Sequence, residues 1–190
     1  QSFFSDNVRD TALAIANVEA GKMAADLGAG TGFVTEGLVQ AGLKVIAVDQ
    51  SEAMLAEMKR KFAKVKTIDY RVGESEKLPI EENTLDYVFC NMYLHHVESP
   101  KKSIIEMTRV LKSGGKVVIT DMDEHVYDFL RKEQHDRWLG FKREDIEQWF
   151  VVAGLINIDI DCIGENCCAD SVSGAERANV NLFIACGEKP

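Results

Sequence analysis

The apolar residues of this chain change period repeatedly, and that alternation restricts the fold more than any other feature. Short apolar runs of the kind that fill buried strands lie at 23–27, 44–48, 67–72, 85–91 and 115–120. Between them the apolar residues recur every three or four positions, as on one face of a helix. Strands that alternate with helices build a parallel sheet with crossover helices. Ser51 is placed to N-cap a helix in which Met54, Leu55, Met58 and Phe62 share a face. Ser99-Pro100 opens another, with proline where a missing N–H costs nothing, and Gly114-Gly115 is expected to stop it. Ile146, Trp149, Phe150 and Ala153 mark a later helix. Runs at 156–160 and 181–185 read as two closing strands, and 162–178 as a long polar loop of the functional or mobile kind. The expected fold is α/β, a doubly wound sheet of seven strands.

With 190 residues and only three prolines, no repeat and no linker-like stretch, residues 1–190 read as one domain, against a prior of roughly 150 residues per domain. No apolar run reaches the ~18 residues of a membrane span. The 31 acidic against 22 basic residues give a net charge of −9. Such a surface repels phosphate, so neither nucleic acid nor an anionic membrane is expected as a partner. A small neutral or cationic ligand fits better; nothing in the sequence sets an oligomeric state. Five cysteines, an odd number with two adjacent, are not a secreted disulfide framework and point to the cytoplasm.

The stretch Asp26-Leu27-Gly28-Ala29-Gly30-Thr31-Gly32 follows a strand and opens a helix. Glycines there let the backbone turn tightly and approach a ligand closely. Asp49 ends the next strand, 21 residues after Gly28, where an acid can bind both ribose hydroxyls. Two cofactor classes share this layout, and charge separates them. A dinucleotide sets a pyrophosphate against the loop, which the Asp26 carboxylate opposes. S-adenosylmethionine has no phosphate and carries an ammonium and a sulfonium, which Asp26 attracts. Asp26 can equally brace the loop through backbone N–H groups, a role compatible with binding.

At this point the chain resembles the class I S-adenosylmethionine-dependent methyltransferases. The likeness rests on DLGAGTGFVTEGL (26–38), VIAVDQSEAML (45–55), GESEKLP (73–79), LDYVFCNMYLHHV (85–97) and RVLKSGGKVVITD (109–121). It is nearest to the quinone-biosynthesis type, and over HVYDFLRKEQHDRWLGF (125–141) to methyltransferase domains fused to arsenical-type repressors. The resemblance implies a Rossmann-like, mostly parallel seven-stranded sheet with helices on both faces and the last strand antiparallel. It implies an enzyme that moves a methyl group from S-adenosylmethionine to a small-molecule acceptor, leaving S-adenosylhomocysteine. Gly28, Ala29 and Gly30 would pass the methionine part, Asp49 would bind the ribose, and Gln50 and Met54 would lie against adenosine. Glu74 would face the adenine amino group with the Ser75 amide beside the ring, and the Asn91 carbonyl would take the ammonium. Met54 has an equal claim to be a core residue at helical spacing. Relatives carry a helical segment before the position of Phe3 that covers the cofactor; this sequence opens on Gln-Ser-Phe-Phe, so that cover is expected to be missing or trimmed.

All four histidines, His95, His96, His125 and His135, follow strand ends four and five, where ligands of such sheets bind. His96 first and His95 second are the catalytic candidates, as general bases or as groups that hold the pocket loops. The acceptor is expected between the His95-His96 loop and residues 125–141. Cys162, Cys167 and Cys168 put three thiols in the polar stretch, yet their spacing matches no recognised zinc pattern, and no metal site is assigned. Soft thiolates leave metalloid binding open. A sensing module on the same fold without turnover, and a nicotinamide-dependent oxidoreductase, are the alternatives; for the second, no Tyr-x-x-x-Lys pair is present.

Overall fold

The computed structural model describes residues 5–190; Phe3, the reference position for the covering segment, lies outside them. Seven strands form one sheet in the order β3-β2-β1-β4-β5-β7-β6. They are β1 Met23–Leu27, β2 Lys44–Asp49, β3 Ile68–Val72, β4 Leu85–Asn91, β5 Leu111–Met122, β6 Ile156–Asp170 and β7 Arg177–Glu188. The first five pair in parallel, and β7 runs antiparallel to both β5 and β6. The sheet order reverses between β1 and β4. At such a switch point the connections leave in opposite directions and open a crevice at the carboxyl ends of the strands.

Period-2 alternation along each strand assigns side chains to the two faces. On β4, Val88 and Cys90 join a core closed by α4 (Pro100–Val110) and α6 (Arg143–Val152), through Ile104, Met107, Ile146 and Phe150. Tyr87 and Phe89 point the other way, into a core closed by α1 (Asp6–Ala16) and α2 (Phe33–Gln40). Ser51 does N-cap α3 (Glu52–Lys61), its hydroxyl accepting from the Met54 N–H at 3.2 Å. Pro100 opens α4 as expected.

Three features depart from the sequence reading. Helix α4 ends at Val110, before Gly114-Gly115, because other partners take its terminal carbonyls. The Asn83 N–H donates to Arg109 O at 3.1 Å and the Thr84 N–H to Val110 O at 2.9 Å. Helices α1 and α5 (Asp128–Glu133) were not marked by the apolar pattern. The largest departure is at 162–178. Instead of a loop, β6 and β7 continue as a paired ribbon, with Cys167 opposite Val180 and Cys168 opposite Asn179. Its inward residues Cys167, Ala169, Ala178 and Val180 pack beneath Phe129 and Leu130 of α5 in a cluster of their own. Small side chains such as cysteine and alanine, alternating with polar ones, hid this strand.

Candidate active site

The carboxyl ends of β1, β2 and β4 bring the glycine loop, Asp49 and Asn91 together. Gly28 has φ +64° and Gly30 φ +53°, conformations that L side chains rarely adopt. A Cβ on Gly28 would also fall 2.2 Å from Cγ of Tyr93, whose ring packs on the loop. Asp49 ties the ends of β1 and β2 to each other. Its Oδ2 accepts the Gly30 N–H at 2.8 Å and its Oδ1 the Ser51 N–H at 2.8 Å.

Asp26 braces the first turn of α2, not the loop itself. Its Oδ2 accepts from the Thr35 N–H at 2.9 Å and from the Thr35 hydroxyl at 2.7 Å. Burial raises its pKa to about 6, against the lowering effect of the Thr35 bonds. It also lines a cavity of about 230 Å³, together with Gly28, Ala29, Gly30, Met54 and Asn91. Met54 is 40% exposed, so it is a wall of that cavity and not a core residue.

The remaining cofactor candidates stand outside the lining. Gln50 Nε2 donates to the Tyr93 hydroxyl at 3.3 Å, and burial pushes that phenol up to about 12. The Gly73 N–H donates to Asp49 O at 3.1 Å, which sets residues 73–75 beside the end of β2. Ser75 is buried with its hydroxyl 2.9 Å from that of Ser103, while Glu74 is exposed in the turn beyond. Asn91, within the lining, accepts from the Thr120 hydroxyl, its neighbour across β4 and β5.

A second cavity, of about 210 Å³, opens where β4 and β5 end. Met92, His95, His96, Met122, Leu130 and Asp136 line it, and Met92 also lines the first cavity. Met92 adopts φ +49°, held by its N–H bond to Thr120 O at 2.8 Å. Such a conformation in a residue other than glycine is a strained one kept by its surroundings. The wall facing β4 is residues 130–136, and the His95 carbonyl accepts the N–H groups of Arg137 at 3.0 Å and Trp138 at 3.1 Å. The two stretches expected to enclose an acceptor therefore do face each other.

His95 is buried, and Asp121 grips it twice. The ring Nδ1 lies 2.7 Å from Asp121 Oδ1, and the backbone N–H donates to Oδ2 at 3.2 Å. Burial pulls the His95 pKa down, but the charge and hydrogen bond of Asp121, with Asp136, outweigh it and the net shift is upward. His96, half-buried, is lowered to about 4 by burial first and then by His95. His125 and His135 do not line this cavity. His125 lies on a separate surface hollow with Trp138, and its Nε2 is buried without a partner.

The three thiols do not converge. Cys162 is exposed, Cys167 is buried with its pKa pushed to about 12, and Cys168 bonds Asn179 at 3.6 Å. Successive strand residues point to opposite faces, so Cys167 and Cys168 diverge. What the sequence reading missed is Met92 and Tyr93, which join the two cavities and cover the loop. Their one signal was position, directly after Asn91. Among the described residues no helix is long and apolar enough to cross a membrane.

The fold and the crevice define the class, a Rossmann-like sheet of the methyltransferase type. The pattern of the methyltransferase domain matches residues 25–119, half of the chain, and the chain belongs to that family. A demethylmenaquinone methyltransferase from Renibacterium salmoninarum is 37% identical over 107 residues, 56% of this chain and 44% of that protein. A ubiquinone biosynthesis O-methyltransferase from Coxiella burnetii is 26% identical over 180 residues, 87% of this chain and 76% of its own. The match thus spans less than half the length of the first of these relatives. Phosphoethanolamine N-methyltransferase 2 of Haemonchus contortus, solved with S-adenosyl-L-methionine, superposes with a TM-score of 0.81 at 22% identity. That alignment covers 98% of this chain and 53% of the other.

Proposed function

We propose that the chain transfers a methyl group from S-adenosylmethionine to a small-molecule acceptor. The observation that carries this is the pair of cavities with one shared wall. The glycine-loop cavity and the histidine cavity meet at Met92, so a donor in the first and an acceptor in the second are neighbours. Methyl transfer proceeds in line, and holding the two reactants at near-attack distance supplies up to roughly 7–11 kcal/mol of the barrier reduction.

In this reading Gly28, Ala29 and Gly30 pass the methionine part, Asn91 takes the ammonium at its carbonyl, and Asp26 lends negative charge beside it. Asp49 exchanges its bonds to the loop and Ser51 for the ribose hydroxyls. Gln50 and Met54 border the adenosine, with Glu74 and Ser75 beyond the end of β2. His96 and His95 are the polar groups that face the acceptor, whose body lies against Met92, Met122 and Leu130. The names of the relatives support an acceptor of small-molecule size, and the net charge of −9 argues against nucleic acid or an anionic membrane as partner. Five free cysteines support a reducing, cytoplasmic setting. The single sheet with both faces covered supports one domain over the chain.

Calorimetric titration with S-adenosylhomocysteine tests the reading, with NAD as the control. One saturable site per chain for the first and none for the second is expected. Binding of NAD alone would overturn it.

A further inference from the structure

Two histidine rings and a carboxylate gather on the acceptor cavity at spacings that hydrogen bonding does not explain. Asp136 Oδ1 lies 3.6 Å from His95 Nε2 and 3.7 Å from His96 Nδ1. Both distances are too long for a hydrogen bond. Two ligands of a tetrahedral ion with bonds of about 2.1 Å stand about 3.4 Å apart, close to what is seen. One ligand atom from each of His95, His96 and Asp136 lies within 4.8 Å of the others.

The tautomer adds an independent point. The Asp121 carboxylate beside His95 Nδ1, at 2.7 Å, fixes the proton of a neutral ring on that nitrogen. The neutral ring then presents the lone pair of Nε2 to the Asp136 carboxylate. A lone pair and a carboxylate oxygen facing each other in a buried pocket repel, unless a cation, either a metal ion or a second proton on the ring, stands between them. A carboxylate behind a histidine, on its far nitrogen, is also the usual outer-shell support of a metal-bound imidazole.

We propose that His95, His96 and Asp136 hold one divalent ion of the first transition row, zinc or a neighbour, at the wall of the acceptor cavity. The fourth position opens into the cavity and takes an oxygen or sulfur atom of the acceptor. Two imidazoles and one carboxylate suit such ions, and magnesium and calcium prefer all-oxygen sites. Three protein ligands with one open position are the pattern of a catalytic rather than a structural site. The inference rests on the methyl-transfer reading and narrows it to a hydroxyl or thiol acceptor on an apolar body.

The ion acts as a Lewis acid and undergoes no redox change. Coordination releases the acceptor's O–H or S–H proton to solvent. A lone pair of the resulting oxygen or sulfur then forms the new bond to the methyl carbon. The carbon–sulfonium bond breaks with its electron pair kept by sulfur. The products are S-adenosylhomocysteine, the methylated acceptor and one proton.

The test uses the whole chain, stripped with a chelator and titrated with cobalt(II) alone, with visible d–d absorption as the readout. One equivalent per chain with a Kd below about 10 µM is expected. His96→Ala and Asp136→Asn should each weaken binding about 100-fold, and Asp121→Asn 10- to 100-fold. A Cys162→Ser/Cys168→Ser variant should bind as the parent does. Asp136→Asn can disturb the segment it sits in, so the half-exposed His96→Ala, with an unchanged melting curve, decides the question. No saturable binding, binding indifferent to His96→Ala, or a sulfur-to-cobalt charge-transfer band lost in the cysteine variant would each overturn the site. That last set of results would instead be expected if a proton on His95 were the cation between the carboxylates, or if the thiols held the ion. Titrating S-adenosylhomocysteine into the same metal-free chain separates the two readings. Cofactor binding without cobalt binding removes the metal alone, and loss of both removes the methyl-transfer reading as well.

Discussion

Asp26 and Asp49 show how two carboxylates beside one loop acquire different work. Asp49 meets two backbone N–H groups at the crevice, an arrangement that ribose hydroxyls can replace. Asp49→Ala should therefore weaken S-adenosylhomocysteine by about 2–4 kcal/mol, the loss of two charge-assisted bonds, read by calorimetry. Asp26 is fully buried, and its carboxyl is raised from 3.8 to about 6. The folded state thus binds this proton more tightly than the unfolded chain does. Its contribution to stability is present below pH 4 and falls as pH rises to 6, by at most about 3 kcal/mol. Urea unfolding from pH 4 to 7 should show Asp26→Asn with a flatter profile than the parent across that window; parallel profiles would contradict the assignment. Gly28 joins geometry to packing. Gly28→Ala places a methyl group in the Tyr93 ring and a Cβ at φ +64°, so cofactor binding should be lost. Adding Tyr93→Ala should restore part of it, a coupling that calorimetry on the double variant checks.

At the scale of elements, the inner parallel strands β1, β2, β4 and β5 were legible because both of their faces are buried and each carries a continuous apolar run. The ranges at 23–27 and 85–91 coincide with β1 and β4 to the residue. The ribbon of β6 and β7 was not legible. One of its faces is solvent, and the other is built from Cys167, Ala169 and Ala178, which carry little hydrophobic signal. Its alternation makes a chemical prediction. In the folded protein Cys162 should react readily with a thiol reagent, whereas Cys90 and Cys167, buried and with thiols held well above their ordinary range, should not. Mass spectrometry after brief alkylation checks this, and early labelling of Cys167 would contradict the pairing. Ala178→Glu, which puts a charge beneath α5, should loosen the wall at 130–136 and lower the melting temperature before it affects cofactor binding.

For the molecule as a whole, the sheet order turns scattered sequence signals into one crevice. The glycine loop, Asp49 and Asn91 were each readable because every one sits at the end of a strand and the switch point gathers strand ends. In the sequence Asp121 and Asp136 lie near the histidines with no spacing that pairs them with any one of these. Asp121 meets His95 because β5 lies beside β4, across 26 positions of the chain, and Asp136 meets it because the segment after β5 folds back, across 41 positions. Tyr93 carried only its position after Asn91 as a signal; its place over Gly28 depends on the pairing of β1 with β4, which brings the two strand ends together. The crevice is proposed to hold S-adenosylmethionine next to an acceptor cavity. Calorimetry with S-adenosylhomocysteine on the parent and on Asp49→Ala tests it most directly. One site per chain in the parent and binding weakened at least tenfold in the variant are expected; equal binding by both, or none by a folded parent, would contradict this assignment.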